Sequence, residues 1–307
     1  MEGCIAAMED ALSSLARGEL HLPLRTMVRP PGHDDLLGLM PSHRGGDRPL
    51  YALKTVAVVP ANAARGLDPH QGTVTLYDGG TGEVRAVMNA SAITAIRTAA
   101  CTAVATRLLA RKDARVVAVL GAGHQARAHL RALPLAGDYD EIRIVSRNPE
   151  HAEALAADAP NARAAATAEE AVRGADIVVT VTSSAEPVLA REWLGPGAHV
   201  NAVGACFPHT RELDTATVAD AAFFVDRRES AENEAGDYLF PLRDGAIGPD
   251  HIRAEIGDVL VGNHPGRGSD DELTVFESLG VAVEDLFAAE YVVRRARAER
   301  RGTELEF

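Results

Sequence analysis

The clearest pattern in the chain is a continuous apolar run from Val116 to Leu120, followed by a glycine turn and then by helical spacing. A strand buried on both faces of a parallel sheet is continuously apolar rather than alternating. Similar runs recur downstream, with helical segments between them. Strands are predicted at residues 141–147, 162–166, 176–182, 199–203 and 222–226, and helices at residues 152–157 and 168–173. This alternation predicts an α/β fold with a doubly wound parallel sheet.

The region before residue 110 follows a different pattern. Ile5, Met8, Leu12 and Leu15 have helical spacing and predict a first helix over residues 4–15. Short β-like segments separated by proline and glycine then predict an antiparallel sheet. These segments lie at residues 22–28, 36–40, 50–59, 72–77 and 83–88, and a long helix is predicted at residues 92–109.

The end of the chain is predicted to be helical over residues 227–237, 252–261 and 275–300. The last of these segments is apolar along one face and basic at its end, which suits a helix C-terminus. We expect it to return to the antiparallel region. The predicted domains are therefore a discontinuous α+β domain of residues 1–110 and 275–307, and a nucleotide-binding domain of residues 111–274.

Composition narrows the class of protein. The 307 residues are enough for two domains, and a hydrophobic content of 46% with only 4% aromatic residues indicates cores built from alanine, valine and leucine. A net charge of -13 disfavours nucleic acid as a partner. No run approaches the length of a membrane span and no basic-then-apolar leader opens the chain, so we expect a cytoplasmic protein with no membrane partner. Three scattered cysteines and eleven histidines without metal-site spacing predict neither disulfides nor a metal.

The turn after the first parallel strand has the spacing G-x-G-x-x-A. Gly121 permits a tight turn, Gly123 lets a pyrophosphate approach the backbone, and Ala126 lets the helix pack on the strand. The N–H groups of the helix start, at His124 and Gln125, would face the phosphates. The motif alone is weak, but a second strand follows it at the spacing of a Rossmann dinucleotide-binding domain.

The end of that second strand indicates which dinucleotide binds. A carboxylate there would select the ribose of NAD, whereas an arginine accommodates the 2′-phosphate of NADP. The residues are Ser146, Arg147 and Asn148, without an acid, so NADP(H) is favoured over NAD. The alternative is that Glu150 turns back to hold the ribose. The ends of the later strands, at Thr182 and at Val203 and Gly204, complete the predicted cofactor-binding set.

Three cations of the first domain lie in otherwise apolar segments: Arg25, Lys54 and Arg97. A buried cation needs a partner. For each of them alone, a protein carboxylate is the expected partner. A small acidic substrate, bound in the cleft between the domains, is the functional alternative.

Six segments together resemble the ornithine cyclodeaminase and mu-crystallin family: LRTMV, ALKTV, ITAIRTAACTAVATRLLA, VLGAGHQARAHL, NAVGACFPHTREL and TVFESLGVAVED. The resemblance covers nearly the whole chain. It implies a Rossmann domain and a discontinuous substrate-binding domain that forms a homodimer. It also implies that Arg25, Lys54 and Arg97 hold the α-carboxylate of an amino or imino acid beside the nicotinamide. Family members usually open with a further strand and helix that have no counterpart in this sequence, so the resemblance leaves two alternatives: the start of the chain is trimmed, or the edge of the dimer differs.

One position departs from much of the family. The cyclodeaminases and alanine dehydrogenases carry an aspartate where this chain has Cys206. Oxidation of an amino acid needs a base, and a thiol is a poorer one. Reduction of a protonated ketimine does not need that base. Lys54 and Cys206 are the candidate catalytic proton donors, and the alternative for Cys206 is a small packing residue without a proton role.

The leading hypothesis is therefore an NADPH-dependent reductase of a cyclic ketimine, Δ1-pyrroline-2-carboxylate or Δ1-piperideine-2-carboxylate, that forms proline or pipecolate. Three alternatives stay open: an ornithine or lysine cyclodeaminase, an amino acid dehydrogenase of the alanine type or an N-alkyl amino acid synthase, and a non-catalytic NADPH-binding protein.

Overall fold

The structure is a computed structural model that describes residues 1–305. Its chain divides into two compact units. The parallel-sheet unit comprises Met1–Glu2 and Thr98–Gly280, and the antiparallel-sheet unit comprises Gly3–Arg97 and Val281–Phe307. The units thus change at residues 97/98 and 280/281, whereas the sequence placed its boundaries at 110/111 and 274/275.

The first part of the chain forms an antiparallel sheet with a helix at each end. Its elements are α1 (Glu2–Ala16), β1 (Leu20–His21), β2 (Thr26–Val28), β3 (Leu36–Arg44), β4 (Leu50–Val58), β5 (His70–Asp78), β6 (Val84–Asn89) and α2 (Ala90–Leu109). The strand order is β1-β3-β4-β5-β6, with β2 also paired to β3, and the pairs are antiparallel. The predicted antiparallel sheet is confirmed.

The second part forms a parallel sheet flanked by helices. Its elements are β7 (Val116–Leu120), α3 (His124–Ala132), β8 (Glu141–Val145), α4 (Pro149–Ala156), β9 (Ala162–Ala164), α5 (Ala168–Val172), β10 (Ile177–Thr180), β11 (His199–Ala202), α6 (Thr215–Asp220), β12 (Ala222–Val225), α7 (Arg228–Glu234), α8 (Gly236–Arg243), β13 (Ile252–Glu255), α9 (Ile256–Leu260) and β14 (Thr274–Glu277). The chain then enters α10 (Ala282–Ala298), which belongs to the antiparallel-sheet unit. Short 3-10 helices lie at Pro60–Arg65, Leu133–Leu135, Arg191–Trp193 and Pro249–His251.

The parallel sheet has the order β13-β12-β14-β11-β10-β7-β8-β9, and its pairs are parallel. The first strand, β7, therefore lies between β8 on one side and β10 on the other. After β7 the chain continues to β8 on one side, and after β10 it continues to β11 on the other side. The carboxyl ends of the neighbouring strands β7 and β10 therefore frame the crevice where doubly wound sheets bind ligands. The α/β fold class predicted from the sequence is confirmed.

Two predicted helices are wrong over part of their length. Residues 252–261 form the edge strand β13 before the short helix α9, and residues 274–277 form β14 rather than the start of the last helix. Short apolar runs do not distinguish a buried strand from a helix segment. Residues 274–277 form a strand because they pair with β11 on one side and β12 on the other. Gly280, at a φ of 73°, separates this strand from α10.

The inner face of the antiparallel sheet packs in the core of its unit. Met40, Ala52, Lys54, Val74 and Leu76 point to this face and are almost completely buried. The start of α10 lies close to the sheet, because the Ser42 hydroxyl donates to the Ala282 carbonyl at 3.1 Å. Lys54 is therefore buried close to the N-terminal end of α10.

Helix α2 is longer and more apolar than the sequence analysis allowed for. Among the described residues it has the length and composition of a membrane-crossing helix, yet 67% of its apolar window is buried within the protein. The positions around Cys101 have no solvent exposure. A helix in the core of a protein is as apolar as a membrane-crossing helix, and the burial of α2 is that of a core helix.

Candidate active site

The glycine turn after β7 has the geometry of a phosphate-binding loop. Gly121 has a φ of 120°, and its N–H donates to the Val145 carbonyl at 2.8 Å. A Cβ atom at Gly121 would lie 2.7 Å from the Val181 carbonyl oxygen, so a larger residue is excluded. Gly123 is the N-cap of α3, and no heavy atom lies within 4 Å of its missing Cβ. Ala126 is fully buried, as its predicted packing role requires.

The first turn of α3 has no side-chain cap, which leaves its N–H groups suited to an anion. His124 is exposed there, and the side-chain oxygen of Gln125 is buried without a partner among the described residues. The turn is fixed by His129, whose Nδ1 lies 2.7 Å from the Gln125 carbonyl and whose Nε2 lies 3.0 Å from the Thr102 hydroxyl. Burial lowers the pKa of His129 to about 4, so the ring is neutral. Sequence reasoning missed His129, because its burial depends on the contact with α2.

The three residues predicted to read the ribose differ in their contacts. Ser146 is half-buried, and Arg147 and Asn148 are exposed. The Asn148 side chain caps α4 by accepting the Glu150 N–H at 3.1 Å. Neither the Arg147 guanidinium nor the Glu150 carboxylate has an ion-pair partner within residues 1–305. Arg147 follows β8, and Glu150 lies in the first turn of α4. The predicted choice between NADP and NAD thus depends on two groups that are both available to a ligand.

The loops after β10 and β11 are joined by a buried carboxylate. Glu212 accepts the N–H of Thr182 at 2.6 Å and that of Gly204 at 2.7 Å. A Cβ atom at Gly204 would lie 2.1 Å from the Thr182 carbonyl oxygen, so the two loops touch and only glycine fits. Val203 is 9% exposed. Burial raises the pKa of Glu212, and hydrogen bonds from threonine side chains, Thr182 first, and from the two backbone N–H groups partly oppose that rise. No sequence signal identified Glu212, because its partner Thr182 lies 30 positions away along the chain.

Cys206 follows in the same loop and is half-buried. Its N–H donates to the Gly204 carbonyl at 3.2 Å. The thiol is one of the groups that raise the pKa of Glu277, a buried residue at the end of β14. Cys206 therefore lies at the carboxyl edge of the parallel sheet. Among the described residues, no three His, Cys, Asp or Glu side chains are arranged to hold a metal ion.

The cations predicted from the antiparallel region lie together with two acids that the sequence analysis did not single out. The Lys54 ammonium lies 2.8 Å from Asp285 Oδ2. The Arg97 guanidinium donates from Nη1 to Glu284 Oε2 at 2.7 Å and from Nε to Asp285 Oδ1 at 3.1 Å. These four side chains are at least 96% buried. We call them the buried ion-pair cluster.

Electrostatic effects place Arg25 beside this cluster. Burial lowers the pKa of Lys54 to about 8, Asp285 opposes that shift, and the positive charges of Arg97 and Arg25 add to it. Burial would raise the pKa of Asp285, but Lys54 and Arg97 lower it overall. Burial raises the pKa of Glu284. The two buried carboxylates thus pair with Lys54 and Arg97, and the positive charge of Arg25 also acts on Lys54.

The structural pairing weighed from the sequence is therefore present for Lys54 and Arg97, which share Asp285, and Arg25 acts electrostatically on Lys54. Asp285 and Glu284 had one sequence signal, an acidic pair within the apolar run VAVEDLFAA. Acidic residues in the first turn of a helix are stabilised by its dipole, and at an exposed helix start they need no cation. Only the packing of α10 on the sheet shows that these acids are buried.

Comparison with known proteins places these features in context. Residues 1–300 match the family described as the ornithine cyclodeaminase/mu-crystallin family. The chain is 39% identical over 292 residues to the ketimine reductase mu-crystallin of Mus musculus, a match that covers 94% of this chain and 90% of the relative.

Two solved structures have nearly the same fold. Thermococcus litoralis Δ(1)-pyrroline-2-carboxylate reductase, in complex with NADH and L-proline, superposes with a TM-score of 0.95 at 33% identity and covers 99% of this chain and 96% of that one. An archaeal alanine dehydrogenase dimer with bound NAD superposes with a TM-score of 0.94 at 32% identity and covers 100% of this chain and 95% of that one. With its glycine turn, its parallel sheet and its match over residues 1–300, the chain belongs to the ornithine cyclodeaminase/mu-crystallin family.

Proposed function

We propose that this protein is an NADPH-dependent reductase of a cyclic ketimine, Δ1-pyrroline-2-carboxylate or Δ1-piperideine-2-carboxylate, which forms proline or pipecolate. The observation that carries the proposal is the buried ion-pair cluster with Arg25 beside it. The Lys54 ammonium and the Arg97 guanidinium are buried hydrogen-bond donors of the kind that bind a substrate carboxylate. The relatives named as a ketimine reductase and a pyrroline-2-carboxylate reductase support the same reaction class.

The parallel-sheet unit supplies the dinucleotide-binding part of the proposal. Gly121 and Gly123 leave room for a pyrophosphate at the uncapped start of α3. The bound nicotinamide supplies the hydride that reduces the C=N bond. Thr182, Val203 and Gly204 lie at the strand ends where a doubly wound sheet holds its ligand.

The antiparallel-sheet unit would bind and protonate the substrate. A planar guanidinium such as that of Arg97 suits a carboxylate, and fixing the carboxylate orients the imine carbon. Lys54, with a pKa lowered to about 8, is mostly protonated at neutral pH and is close to the range suited to a general acid. Asp285 keeps Lys54 charged, because its carboxylate opposes the effect of burial. Residue 206 is a cysteine rather than an aspartate. Reduction of a protonated ketimine does not require a carboxylate base at this position.

The central test is turnover. We expect NADPH to be consumed with one or both cyclic ketimines, and proline or pipecolate to accumulate in equal amount, as measured by absorbance and product chromatography. Release of ammonia from ornithine or lysine without ketimine reduction would instead favour a cyclodeaminase. Turnover of a keto acid with an amine would favour an amino acid dehydrogenase or N-alkyl amino acid synthase. Binding of NADPH with no turnover of any of these substrates would favour a non-catalytic protein.

The pH dependence tests Lys54 as the proton donor. Because the pKa of Lys54 lies at about 8, its protonated form is lost as pH rises through that value. We therefore expect kcat/KM for the ketimine, which reports groups of the free enzyme, to fall above pH 8. Lys54→Arg keeps a charge that does not titrate in this range and should remove this fall, at the cost of a lower maximal rate.

Lys112→Arg is the matched control, because Lys112 is exposed and should leave the profile unchanged. An alkaline fall that persists unaltered in Lys54→Arg would assign the titration to another group and would rule out Lys54 as its origin.

Cofactor preference tests Arg147. We propose that its exposed guanidinium binds the 2′-phosphate of NADPH, so Arg147→Ala should weaken NADPH binding by about tenfold and leave NADH binding unchanged. Arg131→Ala, at an exposed position of α3, is the control. Isothermal titration calorimetry measures the dissociation constants of each variant for NADPH and for NADH. Tighter binding of NADH than of NADPH by the unaltered protein would contradict the proposal and favour Glu150 as a ribose ligand.

We also propose a homodimer formed through the outer face of the antiparallel sheet. Leu37 on β3, Tyr51 on β4 and Val87 on β6 are 37%, 49% and 51% exposed, and Val28 on β2 lies opposite Leu37. Such a set of exposed apolar side chains on one sheet face is typical of an interface. The archaeal alanine dehydrogenase of similar fold is a dimer.

Light scattering should give the mass of two chains. The double variant Leu37→Asp/Val87→Asp should shift it toward one chain, because buried charges without partners weaken an interface. Leu67→Asp, a charge at an exposed leucine outside the sheet, should leave the dimer intact. A single-chain mass for the unaltered protein would disprove the dimer.

A further inference from the structure

A row of four ring side chains crosses the outer face of the antiparallel sheet. His21 of β1 lies opposite His43 of β3, and His43 lies opposite Tyr51 of β4. Tyr51 in turn lies opposite Tyr77 of β5. Side chains directly opposite one another in an antiparallel pair project from the same face of the sheet. We call these four residues the ring row.

The ring row lies on the face proposed as the dimer interface. Tyr51 is one of the exposed side chains of that face, and the neighbouring row of paired positions is largely apolar: Pro41, Leu53, Thr75 and Val87. Within one chain the ring row is half-buried or exposed, whereas Ser42 and Ala52, on the opposite face, are 2% exposed. A second copy of this face would therefore remove the ring row from water.

His43 packs against Tyr51 within the chain. Their ring centroids lie 4.4 Å apart, with an angle of 34° between the ring planes. A cation is attracted to the face of an aromatic ring, so this contact tolerates a protonated imidazole. The contact is the same whether or not a second chain binds. It therefore does not offset the cost of burying a charged His43 in an interface.

The groups around His43 provide no net negative charge. Directly opposite it lie the His21 imidazole and the Tyr51 phenol, so no carboxylate is paired with it, and a protonated His21 would repel it. The turn between β3 and β4 carries Asp47 and Arg48, one charge of each sign. Other charged side chains near the ring row form ion pairs of their own: Glu19 with Arg17, Arg44 with Glu290, and Arg85 with Asp78.

We propose that His43 makes the homodimer sensitive to pH, because association buries its neutral ring and protonation, with His21 opposite, separates the chains. This inference rests on the proposed dimer interface. Histidine changes its charge between pH 5 and pH 8, and a charge removed from water without a partner is costly. The separated chains therefore bind protons more readily than the dimer does, so acid pH favours the separated chains.

The dissociation constant of the dimer, measured by sedimentation velocity over a dilution series, tests the proposal. Between pH 8 and pH 5.5 we expect it to rise by at least about tenfold, since a two-fold dimer contains two copies of His43. Where the dimer is too tight to dissociate, the exchange rate between two fluorescently labelled pools should rise by the same factor. Far-ultraviolet circular dichroism at both pH values distinguishes dissociation from unfolding.

Two variants of His43 have opposite expected effects. His43→Phe keeps a ring against Tyr51 but cannot be protonated, so its dissociation constant should change by less than about twofold between the two pH values. His43→Lys is charged at both, so it should associate weakly already at pH 8. His151→Phe, at an exposed position of α4, is the matched control and should keep the pH dependence of the unaltered protein.

The possible results separate this inference from the proposals on which it rests. A dimer equally tight at pH 8 and pH 5.5 would overturn the pH dependence and leave the dimer in place. Equal weakening at acid pH in His43→Phe and in the unaltered protein would assign the effect to another group and would also overturn it. A single-chain mass at pH 8 would remove the dimer and the inference together. No substrate is used, so failure of the proposed ketimine reduction would not affect these results.

Discussion

The buried ion-pair cluster is the constraint on which the antiparallel-sheet unit depends. Lys54 comes from β4, Arg97 from α2, and Glu284 and Asp285 from α10, so one cluster joins parts of the chain at least 187 positions apart. Removing one partner of a buried pair typically costs about 3–5 kcal/mol, because the other charge stays buried and unpaired. Four charged side chains in an apolar core are therefore a demanding arrangement, and a well-packed apolar alternative would fold as well.

A binding role gives a reason for such an arrangement. Lys54 at a pKa of about 8 is tuned by two opposing effects, burial and Asp285, and a small change in either alters its charge near neutral pH. Perturbed titrating groups concentrate at functional sites, although structural ion pairs also produce them.

In the parallel-sheet unit the same physical problem has a different solution. Glu212, at the sheet edge, is compensated by the backbone N–H groups of Thr182 and Gly204 rather than by a cation. Backbone donors are fixed in space, so Glu212 can hold the loops after β10 and β11 in one geometry. The neutral His129 holds the start of α3 in a similar way. In both places a buried side chain fixes, through hydrogen bonds to the backbone, a segment proposed to bind the dinucleotide.

The sequence alone determined the class of the fold, the glycine turn and the three cations. Each depends on local chemistry: an apolar run long enough for a buried strand, glycines at fixed spacing, and a cation in an apolar segment. It did not identify β13 or β14, because a short apolar run becomes a strand only when neighbouring strands pair with it. Nor did it identify Glu212, Asp237, Glu277, Glu284 and Asp285 as buried, since an acid in a sequence is expected to face water. Only the tertiary structure decided which acids are buried, because burial and pairing depend on elements that lie far apart along the chain.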